Sequence, residues 1–172
     1  MFAAGILVLR LIVGLTLAAH GAQKLFGWWG GPGMKGWTGA MNRMRIRPAT
    51  LWAWTSALAE FGGGLALAAG LLTPLPSFAI AGSMLVAIAL VHLPKGFFNG
   101  KGGFEFNLTI VGAVAAVALA GPGPVSLDAT LRLHLPEPAT LIVLTVLTLL
   151  GVGTVLGTRA PEAAAQPKPQ AT

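Results

Sequence analysis

Residues 3–26 read AAGILVLRLIVGLTLAAHGAQKLF. At 1.5 Å rise per residue a helix of this length crosses the ~30 Å hydrocarbon layer of a bilayer. Yet Arg10, His20 and Lys24 lie within it. A charged side chain near the centre of a membrane helix costs about 3 kcal/mol on insertion scales, so it turns toward other helices rather than lipid. At ~100° per residue, Lys24 falls about 40° and His20 about 80° to one side of Arg10, while Gly14 and Gly21 fall within about 40° on the other. One face therefore carries Arg10, Gly14, His20, Gly21 and Lys24. Small residues on that face let a second helix approach closely. A signal peptide fits poorly: the first residues carry no basic region, and Arg10 interrupts an apolar run too long for an h-region. The stretch is read as a first span.

Four more apolar runs follow, at about 49–72, 77–93, 104–120 and 139–156. Thr73-Pro74-Leu75-Pro76 makes a tight turn, because proline lacks a donor and restricts the residue before it. Gly121-Pro122-Gly123-Pro124 ends the fourth run. Residues 125–138 are mixed and are expected at the membrane interface. From Arg159 the chain is rich in Ala, Pro and Gln and is expected to be disordered. No strand alternation and no internal repeat is visible, so the expected class is an all-α polytopic membrane bundle.

Composition agrees. The 172 residues are 55% hydrophobic and only 9% charged, against about a quarter charged in soluble domains. The net charge of +6 does not indicate nucleic acid, since the basic residues cluster between apolar runs. With no cysteine, thiolate chemistry, disulfide exchange and iron–sulfur ligation by this chain are excluded. With the N-terminus outside, Lys35, Arg43, Arg45, Arg47, Lys95, Lys101, Arg159 and Lys168 fall on the cytoplasmic side and only Arg132 opposite. The positive-inside rule thus predicts five spans, N-out and C-in. Trp28, Trp29, Trp37, Trp52 and Trp54 all surround the first basic segment, as half of an aromatic belt does. Within that segment Met34, Trp37, Met41 and Met44 recur at helical spacing. They read as a short helix on the cytoplasmic leaflet, or else as a glycine-rich irregular loop.

The buried charges need partners. Arg10 and Glu60 lie at similar expected depth on antiparallel neighbours, so an Arg10–Glu60 ion pair, direct or water-bridged, is expected. It would either lock helix register or shape a pocket beside Gly62, Gly63 and Gly64. His20, Lys24, His92 and Glu105 are expected as a second layer at the cytoplasmic end. Histidine there could bond a carbonyl ligand or pass a proton. Two histidines at one depth could hold haem, but Lys24 and Glu105 crowd that layer and no aromatic slot is evident. Glu60, Glu105 and Asp128 differ in depth, so no metal site is expected.

Several phrases resemble the DoxX family of small integral membrane proteins. They are Arg10-Leu-Ile-Val-Gly14 with His20-Gly21-Ala22-Gln23-Lys24-Leu25-Phe26-Gly27; Glu60-Phe61-Gly62-Gly63-Gly64 with Gly70; Val91-His92-Leu93-Pro94-Lys95-Gly96-Phe97-Phe98; Gly102-Gly103-Phe104-Glu105-Phe106; and Gly121-Pro122-Gly123 with Ser126-Leu127-Asp128. The resemblance implies a four-helix membrane core over 1–131. It leaves 132–158 as an additional C-terminal transmembrane helix and 159–172 as a tail. It also implies quinone- or quinol-linked work as a subunit of a membrane oxidoreductase, unable to act alone because a soluble or membrane redox partner supplies the electrons. The residues expected to serve are Arg10, His20, Lys24, Glu60, His92 and Glu105. A non-catalytic scaffold or assembly factor is the first alternative. A small-molecule transporter, made whole by homo-oligomerisation, is the second.

Overall fold

The computed structural model describes residues 1–161, and among them every regular element is helical. The helices are α1 (Phe2–Phe26), α2 (Gly33–Arg43), α3 (Ala49–Ala69), α4 (Pro74–Ala87), α5 (Glu105–Ala120), α6 (Leu127–Leu131) and α7 (Ala139–Gly157). The all-α polytopic bundle is as the apolar runs predict. The expected disorder of the tail concerns mainly residues 162–172, which lie outside the described residues. Its first residues are tied down: Arg159 Nε donates to Met44 O at 3.2 Å and Ala160 N to Arg45 O at 2.9 Å.

Local chemistry sets the helix ends. Gly27 (φ 74°) and Gly70 (φ 67°) take the left-handed conformation that closes α1 and α3, a geometry that glycine adopts without a Cβ penalty. Pro74 and Pro76 sit in the first turn of α4, where a missing N–H costs nothing. The far end of α4 widens into a π turn over Ile88–His92 and stops at a short 3-10 turn, Leu93–Lys95. Ser126 caps α6, its Oγ accepting from Ala129 N at 3.1 Å, the usual service of an N-cap serine.

Among the described residues, three segments are long and apolar enough to cross a membrane: Phe2–Phe26, Pro74–Lys95 and Ala139–Gly157. α3 is 21 residues long but carries Glu60, three consecutive glycines and two tryptophans. α5 is apolar and 16 residues long. One apolar core unites α1, α3, α4 and α5 through Val13, Leu17, Leu67, Ile80, Met84, Ile110, Val114 and Val117. α7 lies outside this core against α4, and only its Val155 is buried.

α1 and α3 form the closest pair, and glycine makes it so. A Cβ on Gly64 would stand 2.5 Å from Gly14 O and from Ala18 N, and one on Gly14 would stand 2.5 Å from Gly64 O. Gly21 likewise abuts the Phe61 backbone. Between membrane helices no hydrophobic force separates lipid from protein contact, so close packing of small residues drives association. Gly62, two residues away, has open space where its Cβ would be. Gly64→Ala is therefore expected to destabilise the bundle by about 2 kcal/mol through overpacking. Gly62→Ala should be neutral or slightly stabilising, since alanine is the better helix former. Unfolding titrations of both variants in mixed micelles check this; equal effects would remove the register argument.

α2 forms where the Met/Trp spacing predicts a helix rather than an irregular loop. Its apolar side turns into the protein. Met41 joins Ile46, Ala49, Ala53 and Val155 in a second cluster, against which Met34, Trp37, Met44 and Trp52 pack.

Candidate functional site

The buried charges separate into two centres at opposite ends of the bundle. At the first, Arg10 is 1% exposed. Its Nη1 donates to Pro122 O and its Nη2 to Val125 O, both at 2.5 Å. Asp128 acts on the same guanidinium through its charge. The Asp128 carboxylate itself accepts from Leu72 N (2.6 Å), Thr73 N (2.9 Å) and Thr73 Oγ1 (2.7 Å). Its backbone N–H donates to Gly70 O at 2.9 Å. Gly70 is obligatory here for two reasons: its positive φ, and a Cβ that would collide with the guanidinium and with Ser126. α1, the α3–α4 turn and the segment before α6 are thus tied into one clasp.

The expected Arg10–Glu60 pair is not formed. The glycine contacts place Gly14 opposite Gly64 and Arg10 opposite Gly70. Glu60 then lies about ten residues, or ~15 Å, farther along the axis. Helix midpoints do not align, because the small-residue seam rather than the charges sets the register.

Glu60, 2% exposed, forms the second centre. Its Oε2 receives Lys24 Nζ at 2.5 Å and its Oε1 receives Ser83 Oγ at 2.8 Å. Lys24 Nζ also lies 4.4 Å from the centre of the Trp37 ring, a cation–π distance. Trp37 Nε1 donates to Ser56 Oγ at 2.9 Å. Helices α1, α2, α3 and α4 each supply one or more of these groups.

The remaining expected site residues are dispersed. His20 is exposed, its ring centre 6.0 Å from that of Phe106. His92 Nδ1 donates to Gly102 O at 2.7 Å. Glu105 Oε2 accepts from Asn99 N at 2.8 Å, closing the glycine-rich loop between α4 and α5. Of the expected second layer, only Lys24 belongs to the inner site. Ser83, Trp37 and Ser56 join it without having been singled out for chemistry in the sequence. Asp128 carries the other centre, and the serine two residues before it, placed to cap a helix, was the local signal.

A cavity of about 380 Å³ opens beside the Lys24–Glu60 pair. α2, α3, α4 and α7 wall it. Trp37, Trp52, Met41 and Met44 line one side, and Gly151 and Val155 of α7 the other. Its surface is overwhelmingly apolar, with Lys24, Glu60, Ser56 and Ser83 among the few polar groups. A mostly apolar hollow with a few fixed polar groups is the form of a small-molecule site. The tryptophans therefore divide: Trp28, Trp29 and Trp54 are exposed to the surroundings, as belt residues are, while Trp37 and Trp52 line the cavity.

A family model described as DoxX matches residues 5–93. That interval holds Arg10, Lys24, Glu60, Ser83 and His92, and stops short of Glu105, Asp128 and α7. The chain is 40% identical over 77 residues to Inner membrane protein YqjF of Escherichia coli (strain K12). The match covers 44% of this chain and 58% of that protein. No solved structure matches.

Proposed function

From the premise that this chain belongs to the DoxX family of integral membrane proteins, we propose that it binds a quinone or quinol in the Lys24–Glu60 cavity, as a subunit of an inner-membrane oxidoreductase. The single supporting observation is that cavity: apolar walls with two indoles, and one buried ion pair at its edge. A lysine ammonium has three donors, and Glu60 takes one of them. The others can meet a carbonyl oxygen of the head group. Ser83 and Ser56 fix the carboxylate and the Trp37 ring in place. A partner protein supplies the electrons. Arg10 plays no part in this site and serves the far clasp.

This reading takes residues 1–131 as the family core and 132–158 as an added spanning helix that completes the cavity wall. It takes the bundle N-out, C-in, which places the cavity on the cytoplasmic side together with the basic residues of α2. The test is titration of purified protein in lipid nanodiscs with a short-tailed benzoquinone or naphthoquinone, read by quenching of tryptophan fluorescence. Saturable quenching is expected, and Trp37→Phe should remove part of the signal. Quenching that rises linearly without saturation, and no quinone in organic extracts of the protein, would overturn the proposal.

A further inference from the structure

At the end of the bundle that holds the Lys24–Glu60 pair, two distant segments carry arginines to one place. Arg43 ends α2 and Arg47 follows in the turn to α3, while Arg159 leaves the end of α7. All three are exposed. The backbone joins the segments: Arg159 Nε donates to Met44 O at 3.2 Å, and Ala160 N donates to Arg45 O at 2.9 Å. Arg47 Nη1 donates to Asn42 Oδ1 in the same stretch. A guanidinium has five N–H donors in a planar fork, so Arg47 and Arg159 each spend one and keep the rest. The Arg45 side chain is already engaged and is not counted. Among the described residues no carboxylate answers the three charges. Glu60 is taken by Lys24, and Glu105 closes the α4–α5 loop through Asn99 N. Asp128 belongs to the far clasp, and Glu137 precedes α7 at that same far end.

We infer that Arg43, Arg47 and Arg159 bind the phosphate of an anionic phospholipid, which bridges the end of α2 to the end of α7. This is independent of the quinone reading. Level in the membrane selects a lipid over a soluble anion. Trp28, Trp29 and Trp54 are exposed at this end of the bundle, and indole marks the headgroup region. Within its first two turns α3 also exposes Leu51 beside Trp54, apolar surface for the lipid's chains. Guanidinium forks match phosphate oxygens in geometry as well as charge. The bridge matters because α7 is weakly held: Val155 is its one buried residue. Met44, whose carbonyl takes Arg159, lines the cavity beside Lys24 and Glu60. A lipid that fastens Arg159 to the α2 segment therefore secures one wall of that cavity.

The full chain in a neutral detergent is titrated with phosphatidylglycerol or phosphatidylcholine of the same acyl chains, and bound lipid is counted by native mass spectrometry. One phosphatidylglycerol should be retained with at least about tenfold preference, since each basic residue at an anionic surface is worth about fivefold. Arg43→Gln, Arg47→Gln and Arg159→Gln should each weaken it about fivefold, and the three together should abolish the preference. Lys95→Gln with Lys101→Gln, at the same end but in the α4–α5 loop, should leave it unchanged. The bridge is read separately, by hydrogen exchange over residues 156–160. Phosphatidylglycerol should slow that exchange at least about threefold in the wild type, as a local opening made rarer, and not in Arg47→Gln, which lies outside α7. Equal affinity for the two lipids, a preference that survives the triple variant, or an equal loss in the lysine variant overturns the site. Displacement of the lipid by millimolar inorganic phosphate assigns the arginines to a soluble anion, and binding of polyglutamate in place of phosphatidylglycerol assigns them to an acidic protein; either overturns the inference. Exchange that ignores the lipid overturns the bridge.

Discussion

Asp128→Ala is expected to lower folding stability by about 4 kcal/mol, the scale found when one member of a buried charge pair is removed. The loss has two sources. Leu72 N, Thr73 N and Thr73 Oγ1 lose their acceptor, and Arg10, almost wholly buried, loses the counter-charge acting on it. Arg10 would retain the Pro122 and Val125 carbonyls, which are dipoles and not charges. Its Nε is already without a partner. Asp128→Asn keeps one acceptor oxygen and should cost about half as much, a neutral hydrogen bond being weaker than a charged one. Reversible unfolding in mixed micelles measures both. A loss under about 1 kcal/mol for the alanine variant would show that the clasp is not what holds the α3–α4 turn to α1.

The second large effect lies at the other centre. Lys24→Met is expected to cost about 3 kcal/mol, because it strands a carboxylate in an apolar wall. Glu60→Met should cost less, since Lys24 is 17% exposed and its ammonium can move toward water. Lys24→Met combined with Glu60→Met should recover most of the loss, to within about 1 kcal/mol of the wild type, as replacing a whole buried pair by apolar residues often does. Ligand binding should part company with stability. The double variant keeps the cavity but has no donor for a carbonyl oxygen, and should bind the short-tailed quinone at least about tenfold more weakly, the value of a charged hydrogen bond. A stable double variant with wild-type binding would leave the pair a purely structural lock. A double variant as unstable as Lys24→Met would show that the pair stabilises the bundle beyond its hydrophobic substitutes.

How far the sequence could be read follows a physical line. The five long helices and their approximate limits were legible, because proline, glycine and apolar length act locally, whereas the five-residue α6 was not. The inward face of α1 was legible in part. Arg10, Gly14 and Gly21 are buried and Lys24 nearly so, whereas His20, at the edge of the same arc, is exposed. Angle around a helix comes from residue spacing, but position along the axis does not. It depended on Gly14 meeting Gly64, and that seam moved Glu60 away from Arg10 and onto Lys24. The helical spacing of Met34, Trp37, Met41 and Met44 was also visible. What they face was not, since lipid and an apolar cavity demand the same residues. Asp128 gave little signal because its value is entirely tertiary: it sits on a five-residue helix and answers donors 55 and 56 positions earlier.

The clasp around Arg10 also has a meaning for synthesis. Its carbonyls belong to residues 112 and 115 positions downstream. While the ribosome is still making the middle of the chain, α1 must enter the bilayer carrying a guanidinium with nothing yet made to receive it. The first helix is therefore a reluctant settler, dependent on the insertion machinery or on water at the membrane edge until the fourth core helix arrives. A polypeptide cut short before Pro122 leaves that guanidinium without either of its carbonyl partners.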